Sequence, residues 1–510
     1  MRLFPMNSGQ TRARLVQAGA VIAAVALIAG CGSAYRAVVT PITPSGPPAQ
    51  PSSYAVVVSA PSPSTPGIAT IIDYSGDAVL AIAPIGPGPG TFTIDATGSN
   101  GYTVNSDGTL SNFPISSSLQ AKQVTYTTLA STAQPVNMFS PSAGLYAADL
   151  NGNNADVFNG LPEAFKLAIP VAPTPVMIVG PSVIGQRDYA ISQGNSLGGN
   201  VSSGVECNIS PTTGPAGEAD AIEVSSLTVS AQIPLGKCPV FAVQSSDKAR
   251  LFVLNRGDDT ITVINSQNNT LDSCTPFVNQ NGQTVTCHPS LPLSLSAVKA
   301  TGITPPNGTS GMTNTAGPVY AEYNAATSQL VVADYDGGTI SVIDVSMDEY
   351  GNDSSTFGTT FTIPVGNNPA SVTVLADGSR AYTANQTDET ATIVTLSSHT
   401  VEKTLPVTGH PRTVVSTQNS SYGKVYVAAP DSPYLTILRT DLDIVDTTIL
   451  VEGNVVDVRV TTQTGTSGNN NTVSRVPGYG QPCYLPPTPS NPTPAPTGTQ
   501  TLLQACETLP

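Results

Sequence analysis

The sequence has no tryptophan, three histidines and 5% aromatic residues, and charged side chains make up only 10% of its 510 residues. An average soluble domain is about 25% charged. So few histidines remove most general acid–base schemes near neutral pH. No GxSxG context surrounds any serine, and no CxxC spacing occurs, so a nucleophile elbow and a cysteine metal cluster both lack their sequence signatures. Beyond residue 30 no segment approaches the ~18 uninterrupted apolar residues of a membrane-spanning helix. Basic residues are scarce as well, 19 against 34 acidic, and Arg2, Arg12 and Arg14 account for three of them. Without the first 30 residues the balance is 16 against 34, a net charge of −18. Such a chain is repelled by nucleic acid and by anionic headgroups, which excludes both as partners.

What remains is rich in turn formers, with 45 glycines and 45 prolines, and in Val, Ile, Thr and Ser. Together these predict an all-β protein of many short strands.

The first 30 residues have the form of an export signal. The arginines precede the apolar stretch Leu15–Gly30, which is short for a bilayer span and ends in small residues. Directly after it, Ile28-Ala29-Gly30-Cys31 resembles the lipobox of bacterial lipoproteins. That resemblance implies cleavage before Cys31, a diacylglycerol on its thiol and an acylated amino group. The protein is then expected on the bacterial cell envelope, anchored to the membrane by lipid. If the host is diderm, Gly32 rather than Asp after the cysteine favours the outer membrane. Several acyl chains, at about 0.8 kcal/mol per buried CH₂, anchor durably where one does not.

Seven cysteines are an odd number for an exported chain. Assigning Cys31 to lipid leaves Cys207, Cys238, Cys274, Cys287, Cys483 and Cys506, which allow fifteen pairings. Sequence neighbours favour Cys207–Cys238, Cys274–Cys287 and Cys483–Cys506, because short loops close most easily. The Pro- and Ser-rich stretch from residue 31 to 53 is expected to act as a tether. A second low-complexity segment occupies residues 461–510, leaving a body from 54 to 460.

The body is repetitive. Four segments align without gaps: LFVLNRGDDTITVIN from Leu251, LVVADYDGGTISVID from Leu330, AYTANQTDETATIVT from Ala381 and VYVAAPDSPYLTILR from Val425. Each alternates apolar and polar residues, turns through Gly, Asp, Asn or Pro, and resumes alternation, which predicts a β-hairpin with one buried face. Fainter copies begin at Leu145, Gly101 and Ala69. Linkers ending in Gly and then Pro separate the units: IPLGKCP, IPVGNNP and LPVTGHP. Units of roughly 40–50 residues with four short strands predict propeller blades, which bury their faces only against neighbours in a ring.

NRGDDTITVIN or DYDGGTISVID followed by IPVGNNP resembles the YVTN β-propeller repeat, a relative of lactonase-like and surface-layer propellers. The resemblance covers about Lys237–Val460. The copies count to eight four-stranded blades, where the resemblance implies that seven is common, and Asn454–Val460 reads as a strand joining the first blade of a single propeller, so that strands from both ends close the ring.

The acidic turn residues Asp258, Asp259, Asp334 and Asp336 recur at one blade position, and a ring sets equivalent turns on one rim. They are candidates for a divalent cation, the one cofactor the sequence brings into question. Asp and Asn also favour such turns because their side chains bond the local backbone. His288, His399 and His410 occupy loops or turns, and Arg256-Gly257-Asp258 spells an adhesion tripeptide inside a Gly/Asp turn, where chance matches are common. The resulting expectation is a non-catalytic, lipid-anchored propeller with a surface for proteins or glycans. A lactonase-like hydrolase acting in the channel and a structural part of a surface assembly are the alternatives.

Overall fold

The computed structural model describes residues 53–141, 144–159, 164–180, 187–194, 207, 215–278, 282, 284–293 and 316–461. Cys31, Cys483 and Cys506 lie outside them, as do the signal, most of the tether and nearly all of the C-terminal segment.

The described chain is all-β, and its one named helical element is a single 3-10 turn, Ala121–Gln123. Eight antiparallel sheets form the blades of a β-propeller. From the innermost strand (A) outward (D), blade 2 runs Thr91–Ile94, Asn100–Val104, Thr109–Pro114 and Thr125–Thr128. Blade 3 runs Pro135–Phe139, Leu145–Asp149, Asn154–Asn159 and Ala164–Pro170. Blade 4 runs Pro175–Val179, Arg187–Ser192, Ala216–Glu223 and Thr228–Lys237. Blades 5, 6, 7 and 8 begin at Pro239–Gln244, Pro318–Asn324, Pro369–Val374 and Thr413–Ser416.

Blade 1 joins the two ends of the body. Its outer three strands are Tyr54–Ala60, Pro66–Asp73 and Ala78–Pro87, whereas its innermost strand is Asn454–Val460. That strand pairs antiparallel with Tyr54–Ala60 and touches the innermost strands of blades 8 and 2.

Burial follows the distance from the axis. Pro239–Gln244 and Pro369–Val374 are buried along their whole length, because neighbouring blades cover both faces. The outermost strands Thr400–Pro406 and Ile444–Leu450 are largely exposed. The apolar core is accordingly spread over the seams between blades. Val56, Phe92, Phe113 and Val456 pack blade 1 on blade 2, and Val57, Tyr426, Ile437 and Val458 pack blade 8 on blade 1. Burying such side chains contributes roughly 1.5–3 kcal/mol each.

The hairpins read from Leu251, Leu330, Ala381 and Val425 are strands B and C of blades 5 to 8, and those from Leu145 and Gly101 are strands B and C of blades 3 and 2. The copy from Ala69 is strands C and D instead, one strand out of phase, because the innermost strand of blade 1 comes from the far end of the chain.

Among the described residues two disulfides are present, Cys207–Cys238 and Cys274–Cys287, each with Cα atoms 5.5 Å apart. Cys274–Cys287 staples an excursion from the outer edge of blade 5. Thr270–Leu271 and Ser290–Pro292, on either side of it, both pair with strand C, Thr260–Asn265.

Candidate functional site

The repeat has a local physical logic, visible at the linkers. The last residue of strand B is Asn255 in blade 5 and Asn385 in blade 7, both fully buried. Asn255 Nδ2 donates to Thr260 Oγ1 (3.1 Å) and Thr262 Oγ1 (2.8 Å), and Asn385 Nδ2 repeats the pattern with Thr390 and Thr392. Asn105 does the same with Thr109 and Ser111 in blade 2. The incoming linker lies against these side chains, so a Cβ on Gly236 or Gly366 would sit 2.7 Å from Asn255 or Asn385. Hence the glycine in IPLGKCP and IPVGNNP.

The following turn clamps the same linker. Asp258 Oδ2 accepts the Lys237 N–H at 3.0 Å, Asp388 Oδ2 accepts that of Asn367 at 2.7 Å, and Asp431 Oδ1 accepts that of His410 at 2.8 Å. His410 also closes on Asp431 through its ring, Nδ1 to Oδ2 at 2.5 Å. The last turn residue takes a left-handed backbone, with φ of 53° at Asp259, 63° at Gly338 and 53° at Glu389. Turn geometry therefore accounts for the Asp, Asn and Gly found there.

The four aspartates singled out as cation candidates gather near the junction of blades 5 and 6, in separate roles. Asp336 binds the Arg256 guanidinium of the neighbouring blade through both oxygens, at 2.8 and 2.9 Å from Nη2. Arg256 is buried, with its guanidinium carbon 5.7 Å from the centroid of the Tyr335 ring, so the Arg-Gly-Asp tripeptide is not displayed as an exposed loop. Asp259 Oδ1 accepts the Gly317 N–H at 2.9 Å. Burial, partly offset by that bond and by one from Ala316, raises its pKa to about 6. Asp334 stands at the Asn255 position and is fully buried, its Oδ2 accepting from Thr339 and Ser341. Burial pushes it up to about 8 against those two bonds. Among the described residues no group of three or more His, Cys, Asp or Glu side chains is arranged to hold a metal ion.

The innermost strands around the axis are a second place where function could reside, and their largest side chains are sealed from solvent. Arg459, Tyr320 and Phe241 are among the largest fully buried side chains, and all three lie on innermost strands. The Phe241 and Tyr320 ring centroids are 4.5 Å apart. Burial raises the Tyr320 phenol further, as does nearby Glu322, while the positive charge of Arg459 opposes the rise. Arg459 belongs to blade 1 and Tyr320 to blade 6, which share no seam, so the charge that acts on the phenol comes from beyond its own seam. Arg459 Nη2 lies 2.9 Å from Asp457 Oδ2, and both side chains are sealed from solvent. Arg412 Nη2 donates to the Val456 carbonyl, and Glu322 Oε2 accepts the Val374 N–H at 3.1 Å.

A third place is a cavity of about 580 Å³ on the flank, between the end of blade 3 and strands C and D of blade 4. Pro170, Val171, Pro173 and Val229 contribute apolar walls, and Glu218, Asp220 and Gln232 contribute the acidic and amide groups. Glu218 and Asp220 are two apart on one strand and share a face. Asp220 is fully buried; its Oδ2 accepts the Ala172 N–H at 2.6 Å, and hydrogen bonds with Gln232 and Glu218 also hold its carboxyl. Gln232 Nε2 donates to Glu218 Oε1 at 2.8 Å. Burial raises both carboxyls above the usual carboxylate range, and the Asp220 charge raises Glu218 further. Sequence reasoning passed over this trio. Its signal was GEADAIE, where acidic residues two apart interrupt an otherwise apolar strand.

No family model matches the chain, and no curated protein matches its sequence. Solved structures do resemble it. The apo structure of AztD from Citrobacter koseri is 12% identical over 80% of this chain and 97% of that one, with a TM-score of 0.51. The dihydro-heme d1 dehydrogenase NirN, solved in complex with DHE, is 14% identical over 82% and 78%, also with a TM-score of 0.51. At such identities the likeness is one of fold alone, and the fold this chain shares with them is the β-propeller.

Proposed function

We propose that this chain is a lipid-anchored propeller of the bacterial cell envelope that binds protein or glycan ligands on its outer surfaces without turning over a substrate in its channel. The observation that carries the reading is the burial of the large side chains on the innermost strands. A lactonase-like reaction in the channel needs polar groups open to substrate, whereas Arg459, Tyr320 and Phe241, all on innermost strands, are fully buried. Two disulfides suit an oxidising compartment outside the cytosol, as does the export signal with its cysteine at residue 31. Mass spectrometry of the mature N-terminus tests the anchor. The expected result is a diacylglyceryl, N-acylated Cys31, and an unmodified cysteine or cleavage elsewhere overturns it. Incubation of the purified protein with a panel of lactones tests the rest: no hydrolysis above the buffer rate is expected, and turnover overturns the non-catalytic reading.

A further inference from the structure

The outer edge of blade 5 is a strand in two pieces. Blades 6, 7 and 8 each end in one unbroken strand, Thr360–Pro364, Thr400–Pro406 and Ile444–Leu450. In blade 5 the same place is taken by Thr270–Leu271 and Ser290–Pro292, both paired with strand C. The two pieces meet at Val263, which donates its N–H to the Pro289 carbonyl at 3.0 Å and accepts the Asp272 N–H at 2.9 Å. Cys274 and Cys287 each stand two residues beyond this break, so their disulfide closes it.

Both arms of the break also reach one charged cluster shared with blade 6. Asp272, on the first arm, lies 3.1 Å from Arg250 Nη2, and the same nitrogen lies 3.4 Å from Asp353 Oδ1. His288, on the second arm, meets Asp353 Oδ2 through Nδ1 at 2.7 Å and donates its backbone N–H to it at 3.1 Å. Its ring stacks on Phe357, with centroids 5.2 Å apart. Asp353 and Phe357 belong to the connection between Thr339–Asp344 and Thr360–Pro364 of blade 6. The two disulfides differ in access. Cys207 and Cys238 are fully buried, whereas Cys274 lies in an exposed run, Ser273–Val278, and Cys287 is half-buried. Thiol–disulfide exchange needs a thiolate to reach a sulfur, so exposed disulfides are the labile ones.

We propose that Cys274–Cys287 is a reversible redox switch, opened by a dithiol reductant, which sets whether the split outer strand of blade 5 is seated on strand C and on blade 6. A thiolate of the dithiol attacks Cys274 Sγ, the bond between the two cysteines breaks, and Cys287 leaves as a thiolate. The second thiolate of the reductant then attacks the mixed disulfide and releases Cys274. Two electrons pass to the protein, the two protons of the dithiol end on the two cysteines, and the reductant is left as its own disulfide. Once opened, the short pieces lose the cross-link that held them in line, and the edge of Thr260–Asn265 is uncovered. The switch requires neither the lipid anchor nor the ligands of the proposed function.

Buffers of reduced and oxidised dithiothreitol, applied to the mature protein at pH 8 without denaturant, test it, with alkylation and peptide mass mapping as the readout. Cys274 and Cys287 are expected to open at a reduced-to-oxidised ratio at least tenfold below that needed for Cys207 and Cys238, and to close again when the ratio is reversed. Opening is expected to speed hydrogen exchange at Val263, Asp272 and His288 while leaving the strand Pro239–Gln244 and the circular-dichroism spectrum unchanged. Seating and bond formation are reciprocally linked. His288→Ala, which removes the contacts of the ring, is therefore expected to lower the opening ratio of Cys274–Cys287 at least threefold and to leave that of Cys207–Cys238 where it was. Opening of both disulfides at one ratio, or opening only with loss of the fold, overturns the switch. So does exchange at Val263, Asp272 and His288 that ignores the redox state, or an opening ratio indifferent to His288→Ala.

Discussion

Asp334 accepts the Ser341 hydroxyl at 2.7 Å, at the position where Asn255 donates to Thr262 and Asn385 to Thr392. The same ladder is therefore built with opposite polarity in blade 6. An amide is neutral at every pH, but a carboxyl must either ionise in a fully buried place or keep its proton.

The proton has a consequence for stability. The folded-state pKa of Asp334 is raised to about 8 from an ordinary 3.8, chiefly by burial. Between those values the unfolded chain gives up a proton that the folded chain retains, so the folded state binds more protons and stability falls as pH rises. Asp334→Asn removes that dependence and restores the ladder of blades 5 and 7. Chemical unfolding is expected to show the variant more stable by about 1–3 kcal/mol at pH 8, the gap closing toward pH 4. A gap that widens on acidification contradicts this account.

The buried Arg459–Asp457 pair makes a different prediction. Asp457→Asn leaves Arg459 charged and sealed from water, which typically costs about 3–5 kcal/mol. Replacing both, as Asp457→Asn with Arg459→Met, removes the charge and keeps the volume. The double variant is expected to be more stable than the Asp457→Asn single, as read by denaturant midpoints in a double-mutant cycle.

The disulfides are predicted to differ in their effect. Cys238 is fully buried immediately before the innermost strand of blade 5 and closes a separation of 31 residues, whereas Cys274–Cys287 closes 13 on an outer edge. Loop closure alone gives about 3 kcal/mol for the shorter and slightly more for the longer. The larger difference is expected from position. Cys207→Ser with Cys238→Ser should lower the global melting temperature, while Cys274→Ser with Cys287→Ser should mainly increase local hydrogen exchange near residues 277–285. Equal losses of melting temperature would contradict the positional argument.

Alternating hairpins made the propeller legible, because strands B and C keep their period-2 pattern wherever a tight turn joins them. Blade 4 lacks that signature: its strands B and C, Arg187–Ser192 and Ala216–Glu223, are separated in sequence by 193–215. The acidic turns were legible as a recurring feature, but not as linker clamps. The residue that Asp258 holds, Lys237, is 21 positions earlier, and nothing local marks the pair. Arg459 and Asp457 were visible as charges alternating through NVVDVRV. Which strand they belonged to decided whether they were exposed or buried, and that follows from the pairing of this strand with Tyr54–Ala60 at the other end of the body. The flank cavity was least legible, since it arises where the end of one blade meets the outer half of the next.

That long-range pairing yields the last prediction. Asn454–Val460 supplies the innermost strand of blade 1 and seats Val455, Val458 and Val460 against Val57 and Tyr426. Removing it would open both seams it contacts and expose the edge of Tyr54–Ala60, whose N–H and C=O groups would lose their partners. A chain truncated after Glu452 is therefore expected to fail to fold cooperatively, whereas one truncated after Thr461 should retain the full-length unfolding transition. Limited proteolysis gives the complementary readout. In the intact protein a single resistant core should contain peptides from both Tyr54–Ala60 and Asn454–Val460, and release of the two ends as separable halves would refute closure of the ring by this strand.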